Sequence, residues 1–557
     1  MKTIYLLALS ILSGLLLWFS EAPIGFPFLS FFAFIPLFFL SDYLIKKYKG
    51  FPFFFGMIYS YPAFLIWNLL TTWWIWYSSK EGATAAIVLN ALFMSMIFGF
   101  WHCFKSYKIS KWLVPIIFIS FWASFEYLHL NWQITWPWLN LGNIFAQATN
   151  FVQWYEYTGT FGGTIWILSV NFLLYYVIKS YNLFTKAKKF KDPLSVPFKK
   201  NFITLSIVSA SVVMIPIIIS VIIFSNYKIK KENGIEVVIV QPNTDPWEEQ
   251  YRMSNIAHIK RIIKTAKTKI TDKTTLIVAP ESAIPHNISI TELVSKNYPK
   301  NTYEYYGFLL LDTFFMHYPN SNLIVGLSTH QKYDSQKTAT TRNPGQGIYF
   351  DAFNTSICYN KNGTVGYYHK SKLVPGVEKM PYPQIFKFLE KLVINLGGTS
   401  GSLGIDTTQR SFLLAGTDKT IKVGAPICYE SIFGELFGNF VKDGAQIMSV
   451  ITNDAWWKDS PGHKQHFIMS KLRAIETRRY VIRAANTGTS AFINPLGEVS
   501  QATPYEVRTA IKEVVYPNDE ITFYVKYGDY LARICVALTA LFFLFGLYLW
   551  SIRKFKK

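Results

Sequence analysis

Eight apolar runs, each long enough to cross a bilayer, constrain what this 557-residue chain can fold into. A spanning helix needs about 20 mostly apolar residues. Seven runs lie near 3–19, 24–41, 51–78, 83–103, 112–128, 159–178 and 202–225, and an eighth near 530–551. Backbone amides in hydrocarbon must be satisfied within their own segment, so each run predicts a transmembrane helix. The first run has only Lys2 ahead of it and no small-residue cleavage site near Ser20, so it reads as a retained span and not as a signal peptide. The predicted division is a membrane domain over 1–225, an extramembrane domain over 226–529, and a last span with a basic tail over 530–557.

Composition agrees. Hydrophobic residues make up 51% and charged residues 16%, against about 25% charged in a soluble protein. That excludes a disordered chain, a coiled coil and a collagen, and four cysteines exclude a disulfide scaffold. The net charge of +21 would suit nucleic acid, but its placement points elsewhere. Lys2, Lys46, Lys47, Lys49, Lys105, Lys108, Lys111, Lys179, the lysines of 186–200 and the tail Arg553, Lys554, Lys556 and Lys557 all fall on alternate loops or at the termini. The intervening loops are poor in basic residues, and 129–158 has none. Basic loops stay in the cytoplasm, so both termini are expected inside and 226–529 outside, with no nucleic-acid partner. Loop 129–158 carries Trp132, Trp136, Trp138 and Trp154 and reads as an outer-leaflet hairpin or interfacial helix.

The insert changes character. Short β-branched runs at Ile235–Val240, Thr275–Ala279, Asn322–Leu327, Lys422–Ala425 and Gln446–Ile451 predict buried strands. Helical patterns at 248–268 and 463–484 intervene, so the domain is expected to be a layered α/β structure. Three strand ends carry reactive groups. Pro280-Glu281-Ser282 follows one strand, and a carboxylate there is expensive unless paired or protonated. His369-Lys370-Ser371-Lys372 forms a second, with Glu378 beyond it. Cys428-Tyr429-Glu430 closes a third, where a nearby ammonium would favour a thiolate nucleophile. No spacing rule links the three. Ile432, Phe433, Leu436 and Phe437 read either as an amphipathic lid or as plain core; Arg473 and Glu476 as a structural ion pair; Asn453 to Trp457 as pocket lining; His463 and His466 as surface or loop residues.

The words PESAIP, HKSKLVPGVE, PICYES and TNDAWW…RAIETRRYVIRAANTG closely resemble the carbon–nitrogen hydrolase (nitrilase) superfamily over 225–510. With seven spans ahead and one behind, the whole chain resembles the bacterial, membrane-embedded branch of that superfamily, and WPWLNLG in loop 129–158 fits that branch. The resemblance implies eight transmembrane helices plus an extracytoplasmic nitrilase-like αββα sandwich. It implies a Glu–Lys–Cys triad of Glu281 (base), Lys370 and Cys428 (nucleophile), with Glu378, Tyr429 and Glu430 in support. The family's tryptophan after its first strand falls to Trp247 or, as a rival, Tyr251, and Lys372 could exchange roles with Lys370. The implied activity is ping-pong acyl transfer from a phospholipid donor, sn-1 position of phosphatidylethanolamine, through a Cys428 thioester to a diacylglyceryl-apolipoprotein acceptor. The implied setting is a monomer in the bacterial inner membrane with its catalytic domain periplasmic, using no cofactor or metal. A tethered amidase would share the triad but needs only one span. A transporter with a dead outer domain would predict a broken triad and ionisable residues within the spans.

Overall fold

The structure, a computed structural model, describes residues 2–48, 50–107, 109–300, 302–343, 345, 347–382, 402–417 and 419–555. Lys49, Lys108, Lys556 and Lys557 of the charge pattern lie outside the described residues. The chain divides into two units, Met1–Asn226 with Asp529–Lys557, and Tyr227–Gly528.

In the first unit each apolar run becomes a helix. Among the described residues eight are long and apolar enough to cross a membrane: Thr3–Ser20, Pro27–Lys47, Pro52–Tyr77, Lys80–Ser106, Leu113–Asn131, Tyr155–Lys189, Ser195–Asn226 and Tyr530–Ile552. Small residues let two of them close up: a Cβ on Gly99 would lie 2.8 Å from the Phe53 carbonyl oxygen. Three basic-loop regions converge at one end, where Asp42 takes Lys105 and Lys179 at 2.9 Å each. Loop 129–158 is neither a hairpin nor an interfacial helix. It folds into short 3-10 turns, Pro137–Leu139, Leu141–Gln147 and Thr149–Phe151, with Trp138, Leu141 and Phe145 buried. Glu126 ties it down. This carboxyl lies inside both the apolar run 112–128 and the helix Leu113–Asn131, an ionisable group within a span. It accepts the Leu141 N–H at 2.8 Å, the Trp122 indole N–H at 3.0 Å and the Thr164 hydroxyl at 2.7 Å. Three donors satisfy a group that would otherwise be costly in an apolar bundle.

The second unit is an α/β sandwich. One sheet runs β13-β1-β2-β4-β5-β6, with β3 on β4, and the other β12-β11-β10-β9-β8-β7. The strands are β1 Ile235–Gln241, β2 Thr274–Val278, β3 Ile284–Ser289, β4 Asn322–Tyr333, β5 Tyr349–Asn360, β6 Gly363–His369, β7 Ser411–Leu413, β8 Lys422–Gly424, β9 Ile447–Thr452, β10 Val481–Ala485, β11 Ala491–Ile493, β12 Val499–Ser500 and β13 Thr509–Val515. β1, β2 and β4 pair in parallel, as do β8, β9 and β10. Helices Asn255–Ala266 and Tyr303–His317 cover the first sheet, burying Val238, Val240, Ile277 and Val325 beneath Ile262, Phe308 and Phe315. Val237 and Ile239, on the opposite face of β1, are buried as well. Both faces of these strands are covered, so their sequences run continuously apolar without alternation. Each such side chain contributes about 1.5–3 kcal/mol of burial. The helical pattern expected over 248–268 begins only at Asn255, and that over 463–484 stops at Thr477, where Arg478 takes a left-handed φ of 50° and the chain turns into β10.

Candidate active site

Three strand ends converge. β2 leads through Ala279-Pro280 to Glu281, whose Oε1 accepts Asn354 Nδ2 at 2.7 Å and Lys370 Nζ at 3.1 Å. Its Oε2 accepts the Asn453 backbone N–H at 3.1 Å. A Cβ on Gly326 of β4 would sit 2.6 Å from Glu281 Cα, so only glycine lets β4 pass the turn that aims this carboxylate. Lys370 follows β6 directly, and its N–H donates to the Asn354 carbonyl at 2.8 Å. Its ammonium, 1% exposed, also donates to Glu378 Oε1 at 2.8 Å. Burial by itself would lower the Lys370 pKa, but the charges of Glu281 and Glu378 outweigh it and hold the group well above the ordinary lysine value. Glu378 Oε2 accepts the Val374 N–H at 2.8 Å, closing a turn in which Gly376 takes φ +79°. The glycine of GVE thus stands where a left-handed residue is required.

β8 ends before Pro426-Ile427, and Cys428 opens a 3-10 turn, Cys428–Ile432, at φ +50°. A non-glycine residue in this region costs about 1–3 kcal/mol and persists only when held. Part of the restraint is Glu430, fully buried. Its Oε2 accepts the Ile427 N–H at 2.8 Å, while Oε1 takes the Tyr368 hydroxyl at 2.6 Å and the Ser371 N–H at 2.7 Å. One carboxylate therefore binds the Cys428 turn to the segment after Lys370. Burial raises the Cys428 thiol, the Glu281 charge raises it further, and Lys370 opposes both; the net is a thiol above its ordinary range. Lys370 acts in the direction of a thiolate, and burial outweighs it. The group is 8% exposed and lies within the fields of Glu281 and Lys370.

Several other residues take places the sequence did not fix. Lys372 does not share the role of Lys370: its ammonium lies over the Phe433 ring at 5.1 Å, and burial, then the Lys379 charge, lower it to about 8. Tyr429 is buried, edge-on to Phe433 at 5.1 Å. Trp247 is 50% exposed and meets Trp456 at 4.9 Å, while Tyr251, 59% exposed, lies within the field of Glu281. Ile432, Phe433, Leu436 and Phe437 are all buried, which fits core and not a lid. Arg473 and Glu476 form a buried pair at 2.9 Å. His463 and His466 are not surface residues, since both are buried in the helix Pro461–Thr477. Asn354 was missed: it sits mid-strand in β5, and its amide bridges Glu281 and, at 3.2 Å, Glu378. An asparagine inside a strand with no motif around it carries no sequence signal.

A buried carboxylate, an ammonium and a thiol at one spot can exchange a proton, stabilise an oxyanion and form a covalent acyl adduct. Comparison with known proteins agrees with the fold. Residues 236–516 match the carbon-nitrogen hydrolase family, and residues 13–173 match the apolipoprotein N-acyltransferase N-terminal domain. An apolipoprotein N-acyltransferase of Chlorobaculum tepidum is 27% identical over 488 residues, covering 86% of this chain and 85% of its own. A second, from Treponema denticola, is 26% identical, covering 83% of each. Among solved structures, a Saccharomyces cerevisiae member of branch 10 of the nitrilase superfamily aligns at TM-score 0.34 and 19% identity, over 51% of this chain and 91% of that one. The chain therefore belongs to the carbon-nitrogen hydrolase family, with the N-terminal domain of apolipoprotein N-acyltransferases ahead of the hydrolase domain.

Proposed function

We propose that this protein is a membrane acyltransferase that N-acylates apolipoproteins through a thioester on Cys428. The observation that carries this reading is the convergence of Glu281, Lys370 and Cys428 in a chain with eight bilayer-length helices. Glu281 takes the Cys428 proton as the sulfur attacks the sn-1 ester of a phospholipid, phosphatidylethanolamine being the expected donor. Lys370 and the Tyr429 N–H stabilise the tetrahedral oxyanion. The C–O bond breaks, the leaving lysophospholipid alkoxide takes the proton from Glu281, and the acyl chain stays on sulfur. The α-amine of a diacylglyceryl-cysteine apolipoprotein then attacks the thioester. Glu281 removes its proton and returns it to the departing thiolate.

Membrane anchorage suits these substrates. Each buried CH₂ is worth about 0.8 kcal/mol, so pulling an acyl chain into water would cost more than the chemistry can spare. The basic loops that meet at Asp42 are assigned to the cytoplasm, with both termini, and the hydrolase domain to the periplasmic face of a bacterial inner membrane. The protein acts as a monomer in this reading.

The test is to incubate membranes with acyl-labelled phosphatidylethanolamine and look for a hydroxylamine-sensitive adduct. Wild type is expected to carry label and Cys428→Ala none. An unlabelled wild type that releases ammonia from small amides would replace acyl transfer with amide hydrolysis.

A further inference from the structure

The peptide that joins Cys428 to Tyr429 is gripped from behind by side chains that no step above uses. The Cys428 carbonyl accepts the Ser431 hydroxyl at 2.8 Å and faces His466 Nε2 at 3.2 Å. His466 Nε2 also lies 3.0 Å from Ser431 Oγ. Ser431 gives its one proton to the carbonyl, and the Nε2–H tautomer of His466, with Nδ1 accepting from Arg483, gives that carbonyl a second donor. On the far side of the ring, Nδ1 sits 2.9 Å from Asp454 Oδ1 and 3.0 Å from Arg483 NH2. Asp454 Oδ2 accepts Arg483 at 2.7 Å, and Oδ1 accepts the Thr452 hydroxyl at 2.8 Å. Burial would raise this carboxyl, but the Arg483 charge foremost holds it far below the usual range. Ser431, His466, Asp454 and Arg483 are all 0% exposed. No substrate reaches them; they act through the Cys428 backbone.

The carbonyl of residue 428 and the N–H of residue 429 belong to one peptide group. Donors on the carbonyl fix the plane of that group, and with it the direction of the N–H, and make the N–H a stronger donor. They also help to hold the left-handed φ of Cys428 from the side opposite Glu430. We propose that His466, oriented by Asp454 and Arg483, is a positioning residue that aligns and polarises the Cys428–Tyr429 peptide so that its N–H can receive the oxyanion. This rests on the acyl-transfer reading above and names how its oxyanion site is assembled.

The test separates oxyanion stabilisation from thiol reactivity. Alkylation of Cys428 by iodoacetamide needs the sulfur but forms no oxyanion; acylation by labelled phosphatidylethanolamine needs both. In the full-length protein in detergent, His466→Leu is expected to slow single-turnover acylation about 10- to 100-fold, part of the about 10²–10³-fold lost with an entire oxyanion donor. Alkylation, which needs only the thiolate, should change less than about threefold, and KM for the phospholipid should stay put. His466→Gln, whose amide still offers an N–H at the Nε2 position, should recover most of the rate. Ser431→Ala, a smaller change in case the leucine variant does not fold, should lose acylation without losing alkylation. Equal losses in both reactions, or unchanged acylation in both His466→Leu and Ser431→Ala, would overturn the positioning role. A wild type that alkylates but never acylates would instead overturn the acyl-transfer reading on which it rests.

Discussion

At the scale of single residues, the site is defined by opposing charges on one sulfur. Glu281 pushes the Cys428 thiol up and Lys370 pulls it down, with burial adding to the first. Neutralising each partner should therefore move alkylation in opposite directions. Glu281→Gln removes a raising charge, so at a fixed pH near 8 more thiolate forms and iodoacetamide reacts faster, even though acyl transfer is lost with the base. Lys370→Met removes a lowering charge, so alkylation slows. A pH–rate series on the two variants against wild type reads the sign directly; a slower Glu281→Gln would remove the carboxylate from its assigned place beside the sulfur. Cys358 does not blur the readout, because it is fully buried on β5 and burial pushes its thiol up to about 12. At this scale Glu281, Lys370, Glu378 and Cys428 were legible from the words around them. Asn354 and His466 were not. Each acts through a hydrogen bond made across many residues of chain, Asn354 to Glu281 and His466 to the Cys428 carbonyl, and neither sits in a distinctive local pattern.

Secondary-structure elements explain what the sequence disclosed and what it hid. β1, β2 and β9 are buried on both faces and so announce themselves as apolar runs. β5 does not, because it carries Asn354, Thr355 and Ser356 through its buried centre, each making a hydrogen bond to a specific partner where an apolar side chain would pack. The boundary at Thr477 was equally silent: a helix commonly ends in a left-handed glycine, and here Arg478 fills that position. The most consequential joint between elements is Glu430. It gathers N–H and O–H donors from the Lys370 segment and the Cys428 turn. Glu430→Gln keeps its shape but turns an NH₂ toward donors, and leaving such buried groups unmatched costs about 1–3 kcal/mol. The expected outcome is a lowered thermal unfolding midpoint together with slowed acylation at unchanged KM. Unchanged stability with full activity would show that the two strand ends hold their register without it.

For the whole molecule, apolar length and loop charge made the helical unit almost completely legible, while the folding of loop 129–158 onto it was not, since that depends on Glu126 reaching the Leu141 N–H. The assigned orientation makes a direct prediction. In intact cells, in a Cys428→Ala background, a membrane-impermeant thiol reagent should label Lys231→Cys, and should label Lys188→Cys only after permeabilisation; the reverse pattern would invert the topology. One feature of the sandwich bears on how such a chain could arise. β1 and β13 lie side by side and antiparallel, with Ile235 opposite Val515. The first strand of the module therefore starts, and its last strand ends, at one corner of a sheet. A module whose first and last strands are neighbours brings its two chain ends toward one side, the arrangement that lets a domain be inserted into a loop. Ancestry by transplantation of a free-standing enzyme into a pre-existing helical bundle needs no rearrangement of either partner's chain path.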